Sequence, residues 1–327
     1  MPDTLAPFAV LPAEAGHTLA KVLRSRLHGP SWTVVRKLIA ARRVQVGDAI
    51  CSDDARRLKD GELVTLFDQP KPLPRTAHPD RLVVRHLDDH VVVVEKPAGV
   101  NTVRHPAELE WSESRRQLDP TLEDLAQWAV AVKLSRTPKD LMKLRIVHRL
   151  DKETSGLLVF ARSHLAEREL GMQFRNHTVV RRYLAVVPGY FAPKTITSNL
   201  VPDRGDGRRG STPLANTGKV ATTHVSIEER FARFTLLSCR LETGRTHQIR
   251  IHLSEAGHAV CGDKVYCKRA GGEAISDESG APRLALHATE LGFEHPSTGQ
   301  HMHWAMPLPA DLSKFVDTVR AQPLTPS

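Results

Sequence analysis

The chain has 327 residues, 40% of them hydrophobic and 25% charged, an ordinary globular composition long enough for two domains with real cores. Collagen-like, wholly disordered and membrane-spanning classes are excluded, since no stretch approaches the ~20 consecutive apolar residues of a membrane helix. Basic residues outnumber acidic ones 46 to 37, a net charge of +9, which suits a polyanionic partner; with 32 Arg to 14 Lys, an Arg-rich base composition explains the charge equally well.

The start, MPDTLAPFAVLPAEAG, lacks a basic n-region and an apolar h-region, so no secretory signal is expected. The cysteines Cys51, Cys239, Cys261 and Cys267 form no C-x-x-C pair and no disulfide framework. A cytoplasmic protein with reduced thiols is the expectation.

Apolar residues at Leu19, Val22, Leu23 and Leu27 have helical spacing after Thr18. Ser31 can cap a second helix over 33–41, with Val35, Leu38 and Ile39 on one face and Arg36, Lys37, Arg42 and Arg43 on the exposed one. Short strands follow at 44–46 and 63–67. A basic helix face beside a small sheet fits a phosphate backbone, although a solvated charged face has the same pattern. The stretch PKPLPRTAHP carries four prolines, and residues 71–80 read as a linker between domains 1–70 and 81–327.

Beyond it, Val91–Glu95 reads as a buried strand ended by Lys96-Pro97-Ala98-Gly99. Asp119-Pro120 starts a helix with Leu122, Leu125, Ala129 and Val132 on one face. Gly156–Arg162 is a strand, and Ser163 caps a helix carrying Leu165, Leu170 and Phe174. Val180–Val187 is a strand containing Tyr183. Lys219–Glu228 and Phe231–Leu241 form a hairpin. Thr246–Ala256 is helical, with Gly257 as its C′ residue. No 20–50-residue repeat and no regular βαβ alternation is visible, which gives α+β as the fold class.

Two constellations carry chemistry. His148-Arg149-Leu150-Asp151-Lys152-Glu153-Thr154-Ser155-Gly156 presents a carboxylate among cations in a turn-rich loop before a strand. Such a carboxylate serves as base, nucleophile or metal ligand, or only as half of a surface ion pair. In Gly244–Leu253, helical spacing puts His247, Arg250 and Ser254 on one face and Ile249, Leu253 and Ala256 on another. Arg250 could hold a carboxylate or phosphate. A metal site from His247, His252, His258 and Cys261 is disfavoured, because residues five apart on a helix point about 140° from each other. Gly205–Gly210 matches G-x-G-x-x-G, but it follows no clean strand and Ser-Thr-Pro-Leu opens no helix, so it reads as a basic loop. Walker A, G-x-S-x-G and H-E-x-x-H patterns are absent.

Residues 148–158 resemble the signature of the RluA-type pseudouridine synthases. Glu95–Gly99, Arg182-Tyr183-Leu184-Ala185, Gly244–Leu253 with Gly257-His258 and Gly262-Asp263, and Leu286-His287-Ala288 with Phe293–Pro296 match the family's further motifs in order. The N-terminal unit resembles the S4-type RNA-binding domain through Ser31, Lys37-Leu38-Ile39, Arg43–Val46 and Leu58–Val64, departing at Leu19-Ala20, where that domain often has Leu-Asp. Together the resemblance spans roughly residues 15–312.

The resemblance implies a mixed, largely antiparallel sheet with flanking helices behind a small S4-like α/β domain. It implies isomerisation of uridine in RNA to pseudouridine without cofactor or metal. Asp151 would be catalytic, Tyr183 would stack on the uracil, and Arg250 would pair with Asp151. Arg149, His247, Arg36, Lys37, Arg42 and Arg43 are the candidate RNA-binding residues. Leu157 and Ile249 are core or pocket lining. Large-subunit ribosomal RNA is the first expected substrate and transfer RNA the second, acted on by a monomer with no membrane and no obligate protein partner. Two rivals stand beside this: a non-catalytic RNA-binding or ribosome-assembly factor on the same fold, and a carboxylate hydrolase of small molecules. The 100–147 interval, with a helix inside 111–134, and a polar insertion at 267–283 have no assigned role.

Overall fold

The computed structural model describes residues 6–47, 49–51, 53–69, 82–205, 207–214, 216–267 and 277–322. The linker at 71–80 and most of the 267–283 insertion lie outside them. The chain divides into two compact units, one of Met1–Arg81 with Arg104–Thr121, the other of Leu82–Val103 with Leu122–Ser327.

In the first unit, β1 (Phe8–Ala9), α1 (Leu19–Arg26), α2 (Trp32–Ala40), β2 (Val44–Val46), β3 (Ala49–Ile50) and β4 (Leu63–Leu66) build an antiparallel sheet in the order β1-β4-β2-β3 with two helices. Ser31 caps α2 as read from the sequence, and Thr18 caps α1. Thr18 Oγ1 accepts from Lys21 N at 3.3 Å and Ser31 Oγ from Val34 N at 3.3 Å, satisfying amides the first turns leave unpaired. Leu19, Val22, Leu23, Leu27, Val35, Leu38 and Ile39 bury against Val44, Val46, Val64 and Leu66.

Arg42 does not lie on the exposed face. It follows α2 with φ 59°, which swings its side chain inward, so that it is 7% exposed and Nη1 donates to Leu118 O at 3.0 Å. Arg43 is half-buried, with Nε donating to Phe67 O at 2.7 Å. Only Arg36 and Lys37 of the four remain exposed. Part of the long interval after Gly99 is accounted for by Arg104–Thr121, which belongs to this unit. It contains α3 (Glu113–Leu118), whose Arg115 pairs with Asp54 at 3.1 Å.

In chain order, the second unit holds β5 (Val84–Leu87), β6 (Val91–Lys96), α4 (Leu122–Lys133), β7 (Arg145–Ile146), β8 (Ser155–Ala161), α5 (His164–Arg175), β9 (Val180–Pro188) and β10 (Lys194–Val201). After these come β11 (Gly210–Thr212), β12 (Lys219–Arg230), β13 (Phe234–Leu241), α6 (Gln248–Glu255), β14 (Leu286–Glu294), β15 (His301–Ala305) and α7 (Ala310–Arg320). The described strands form one sheet ordered β11-β10-β12-β13-β9-β14-β8-β6-β5, with β15 on β14 and β7 on β8. Every described pairing in it is antiparallel except β8 with β14. This is the expected α+β architecture.

That parallel contact depends on Gly156. Its φ is +131°, and a Cβ there would stand 2.2 Å from Ala288 O, so only glycine lets β14 close on the start of β8. Ser155 Oγ and His287 Nδ1 meet beside it at 2.9 Å. Every residue of β8 is buried, and α5 packs over β8 and β14 through Ala166 and Leu170.

Two helix faces differ from expectation. Val132 of α4 is 66% exposed, while Leu122, Leu125, Ala126, Ala129 and Val130 are buried. At about 100° per residue Val132 points about 80° from Leu122, beyond Leu125 at the edge of the buried stripe. In α5, Ser163 caps as expected (Ala166 N to Oγ, 3.1 Å), but the residue buried with Leu170 is Ala166 and not Leu165, since i and i+5 do not share a face. Gly205 and Gly207 donate to Asp203 Oδ1 at 2.8 and 2.9 Å in the turn between β10 and β11.

Candidate active site

The loop before β8 carries Asp151, and it is fixed from three sides. Lys96, at the end of β6 and 1% exposed, donates from Nζ to Pro97 O, Lys152 O and Thr154 O at 2.9, 2.8 and 2.8 Å. Burial pushes this ammonium down to about 7, opposed by Glu153 and Asp151. Gly99 N donates to Lys152 O at 2.9 Å. Thr102 Oγ1 donates to Leu150 O at 2.7 Å and accepts from Leu150 N at 3.1 Å. The carboxylate at Asp151 is thus presented by a backbone whose polar groups are taken up on both sides of it.

Arg250, from α6, meets it. Nη1 donates to Asp151 Oδ2 at 3.3 Å, while Nε and Nη2 form a fork on Asp263 at 2.7 and 2.9 Å. The Asp263 side chain is fully buried and also accepts from Val265 N and Tyr266 N at 2.8 and 3.0 Å. Despite its burial, the hydrogen bonds and charge of Arg250 hold the Asp263 carboxyl below the usual range, and Asp263 and Asp151 together raise Arg250. The Arg250 guanidinium lies 5.1 Å from the Tyr266 ring centroid.

Helix α6 starts later than the sequence suggests. His247 is its N-cap in the left-handed region, with φ 60°, so helical register does not set its direction. Its Nδ1 bonds Tyr266 Oη at 2.8 Å and its Nε2 stands 3.9 Å from Asp151 Oδ1. Nor has the helix a solvated polar face, because Gln248–Ser254 are all buried. Its polar side chains are used internally. His252 bonds Thr223 Oγ1 and Ser198 Oγ at 2.9 and 3.0 Å, and Gln248 bonds Thr222 O and Thr223 Oγ1 at 3.0 Å each.

A cleft of about 580 Å³ opens over Asp151, lined also by Arg149, Tyr183, His247, Ile249 and Arg250. Tyr183 projects from β9 and is 8% exposed; burial first, and then Asp151, push its phenol up to about 12, against the pull of Arg181. It is a neutral aromatic surface at neutral pH. His148 stacks on Phe174 at 4.5 Å between centroids, and Val159 N donates to its Nε2 at 3.1 Å; burial and then Arg181 lower its pKa, which keeps the ring neutral. Arg149, Arg175, Arg181, Arg245 and Arg250 line the cleft against Asp151 and Glu167, and Glu167 is paired with Arg145 at 2.7 Å. Leu157 lies in the core under α5.

The sequence-predicted residues Asp151, Tyr183, Arg250, Arg149 and His247 therefore share one cleft, whereas Arg36, Lys37, Arg42 and Arg43 belong to the first unit. Asp263, Tyr266, Lys96, Thr102 and Arg181 were not singled out as site residues. Lys96 and Asp263 stand inside the family motifs, but nothing in their spacing reveals what they hold. Among the described residues, no group of three or more His, Cys, Asp or Glu is arranged to hold a metal ion, and no helix is long and apolar enough to cross a membrane.

A carboxylate paired with a fixed arginine, sharing a basic cleft with a tyrosine ring, accords with one further observation: the RNA pseudouridylate synthase family model matches residues 90–255. The chain belongs to this family. It is 36% identical over 302 residues to the uncharacterized RNA pseudouridine synthase YlyB of Bacillus subtilis (strain 168), covering 92% of this chain and 93% of that one. To a ribosomal large subunit pseudouridine synthase D of Nitrosomonas europaea it is 34% identical over 330 residues, covering 99% and 88%. The structure of human RNA Pseudouridylate Synthase Domain Containing 4 superposes with a TM-score of 0.57 at 21% identity, covering 72% of this chain and 92% of that one, a likeness of fold. As a pseudouridine synthase the protein converts uridine in RNA to its C-glycoside isomer.

Proposed function

We propose that this pseudouridine synthase acts on uridines of large-subunit ribosomal RNA, with Asp151 as its catalytic carboxylate. The observation that carries the assignment of Asp151 is its ion pair with Arg250, 3.3 Å away and itself forked onto Asp263. The reaction breaks N1–C1′, turns the uracil and forms C5–C1′, with the C5 proton lost and a proton taken up at the freed N1. An ionised carboxylate stabilises the cationic character that grows at C1′ as the first bond opens, by covalent attack or by charge alone. Arg250 aims it. Tyr183 offers a ring face to the flipped uracil, and the cleft's arginines draw in the polynucleotide backbone.

The ribosomal substrate is supported by the names of several relatives, ribosomal large subunit pseudouridine synthases D. Residues 1–70 serve in this reading as an S4-like RNA-binding domain joined by the 71–80 linker to a catalytic domain over 81–327, from which Arg104–Thr121 returns to the first unit. Exposed Arg36 and Lys37 would contact phosphate. A single chain contains every group the reading uses, and its substrate would place it in the cytoplasm.

Chemical mapping of pseudouridine in RNA from cells with and without the gene tests the target. The expected result is that one or more large-subunit positions lose pseudouridine and regain it on complementation. Loss confined to transfer RNA would replace the proposed substrate.

A further inference from the structure

Arg181 and Tyr183 stand two apart in β9 and so project to the same face, and both line the cleft. Arg181 is 8% exposed. Its Nη2 donates to Glu242 O at 2.8 Å, and the guanidinium lies 5.5 Å from the Phe174 ring centroid. Nε is buried with no hydrogen-bond partner. Among the described residues no carboxylate comes within 4.0 Å of it, and the two acids lining the cleft are engaged elsewhere, Asp151 by Arg250 and Glu167 by Arg145. Gly244 keeps space for it, since a Cβ there would fall 2.6 Å from Nη1.

A buried cation with no counter-charge is costly unless an anion arrives to complete it. Uracil and ribose are neutral. The anions that accompany a nucleotide into this cleft are its flanking phosphodiesters. We propose that Arg181 binds a phosphodiester flanking the reacting uridine, an inference that rests on the protein acting as an RNA pseudouridine synthase. Once N1–C1′ opens, the uracil is held by non-covalent contacts alone. A clamp on the sugar–phosphate keeps C1′ at Asp151 while the base turns. Burial, which lowers the Arg181 pKa with no carboxylate opposing it, agrees with a site awaiting negative charge.

The test compares wild type, Arg181→Met and Arg181→Lys on an unmodified large-subunit rRNA transcript carrying [5-³H]uridine, with tritium release and filter binding measured across salt concentration. Arg181→Met is expected to raise KM about tenfold or more, the range of a charge-assisted contact. It should also make the salt slope of log kcat/KM shallower by about 0.7–0.9, one phosphate's worth. Its thermal midpoint should be equal to or above that of wild type, because an unpaired buried charge has been removed. Arg181→Lys should keep the wild-type slope. An Arg181→Met protein that melts earlier or fails to fold, or that keeps the wild-type slope, would overturn the proposal in favour of a packing role. Absence of tritium release by wild type would sink the underlying reading instead, and the filter-binding slopes would still decide for or against Arg181.

Discussion

Arg250 binds Asp263 through two of its nitrogens, Nε and Nη2, and turns the third, Nη1, to Asp151 at 3.3 Å. The guanidinium is planar, so fixing one edge on a buried carboxylate fixes where the other nitrogen points. Asp263 thereby aims the partner of the carboxylate proposed as catalytic without itself lining the cleft.

Asp263→Asn keeps the shape and removes the charge of that anchor. We expect kcat to fall roughly 10- to 100-fold, as for other groups that orient a catalytic side chain, with KM little changed. Asp263→Ala should in addition cost about 3–5 kcal/mol of stability, because it leaves a buried cation short of its partner. Steady-state tritium release and urea denaturation measure both, and a wild-type kcat in Asp263→Asn would contradict the role.

The buried state of Arg42 separates it from its neighbours. Arg42→Ala should lower stability by about 1–3 kcal/mol, through the hydrogen bond lost to Leu118 O, and leave the salt dependence of RNA binding unchanged. The double variant Arg36→Ala/Lys37→Ala should do the reverse. Its stability should stay within about 0.5 kcal/mol of wild type, while the salt slope of binding becomes shallower by up to about 1.8. Equal slopes for wild type and the double variant would remove these two residues from the RNA contact surface.

Gly156→Ala tests the close approach of β14 to the start of β8. With φ +131° and a Cβ 2.2 Å from Ala288 O, the variant must break the parallel contact or move the Asp151 loop. A loss above about 3 kcal/mol is expected from backbone strain and overpacking together, visible as a lower thermal midpoint or insoluble protein. A variant as stable as wild type would show that the contact is dispensable.

Acid should weaken the fold before the carboxylates titrate. His252 and His287 are 1% and 0% exposed, and burial pushes both down to about 4 from 6.5. Between those values the unfolded chain binds more protons than the folded one, so their contribution is complete above about pH 6.5 and falls with pH toward 4. The slope approaches about 1.4 kcal/mol per pH unit for each histidine. Below that the lowered Asp263 carboxyl adds its own loss as it takes up a proton. Urea midpoints across this range should drop steadily; a flat profile would contradict the burial of neutral rings.

Local signals in the sequence were sufficient for local structure. Ser31 and Ser163 cap the helices they precede, and the apolar stripe at Leu19, Val22, Leu23 and Leu27 is buried, because capping and helical spacing are decided within a few residues. Arg42 and His247 escaped such reading for one reason: each takes a positive φ at a helix end, and a helical wheel does not extend through a left-handed residue. The reading of Asp151, Tyr183 and Arg250 as site residues rests on family motifs. Asp263 as the anchor of Arg250, Lys96 as the tie on the Asp151 loop, and Arg181 as an unpaired cation depend on contacts between separate elements, which no periodicity encodes.

Tritium release from [5-³H]uridine-labelled RNA lacking pseudouridine, by wild type and by Asp151→Ala, bears most directly on the role of the carboxylate. Forming C5–C1′ must expel the label. The account predicts release by wild type, none above background by Asp151→Ala, and unchanged RNA affinity in the variant. Release by Asp151→Ala at a rate near wild type would contradict it.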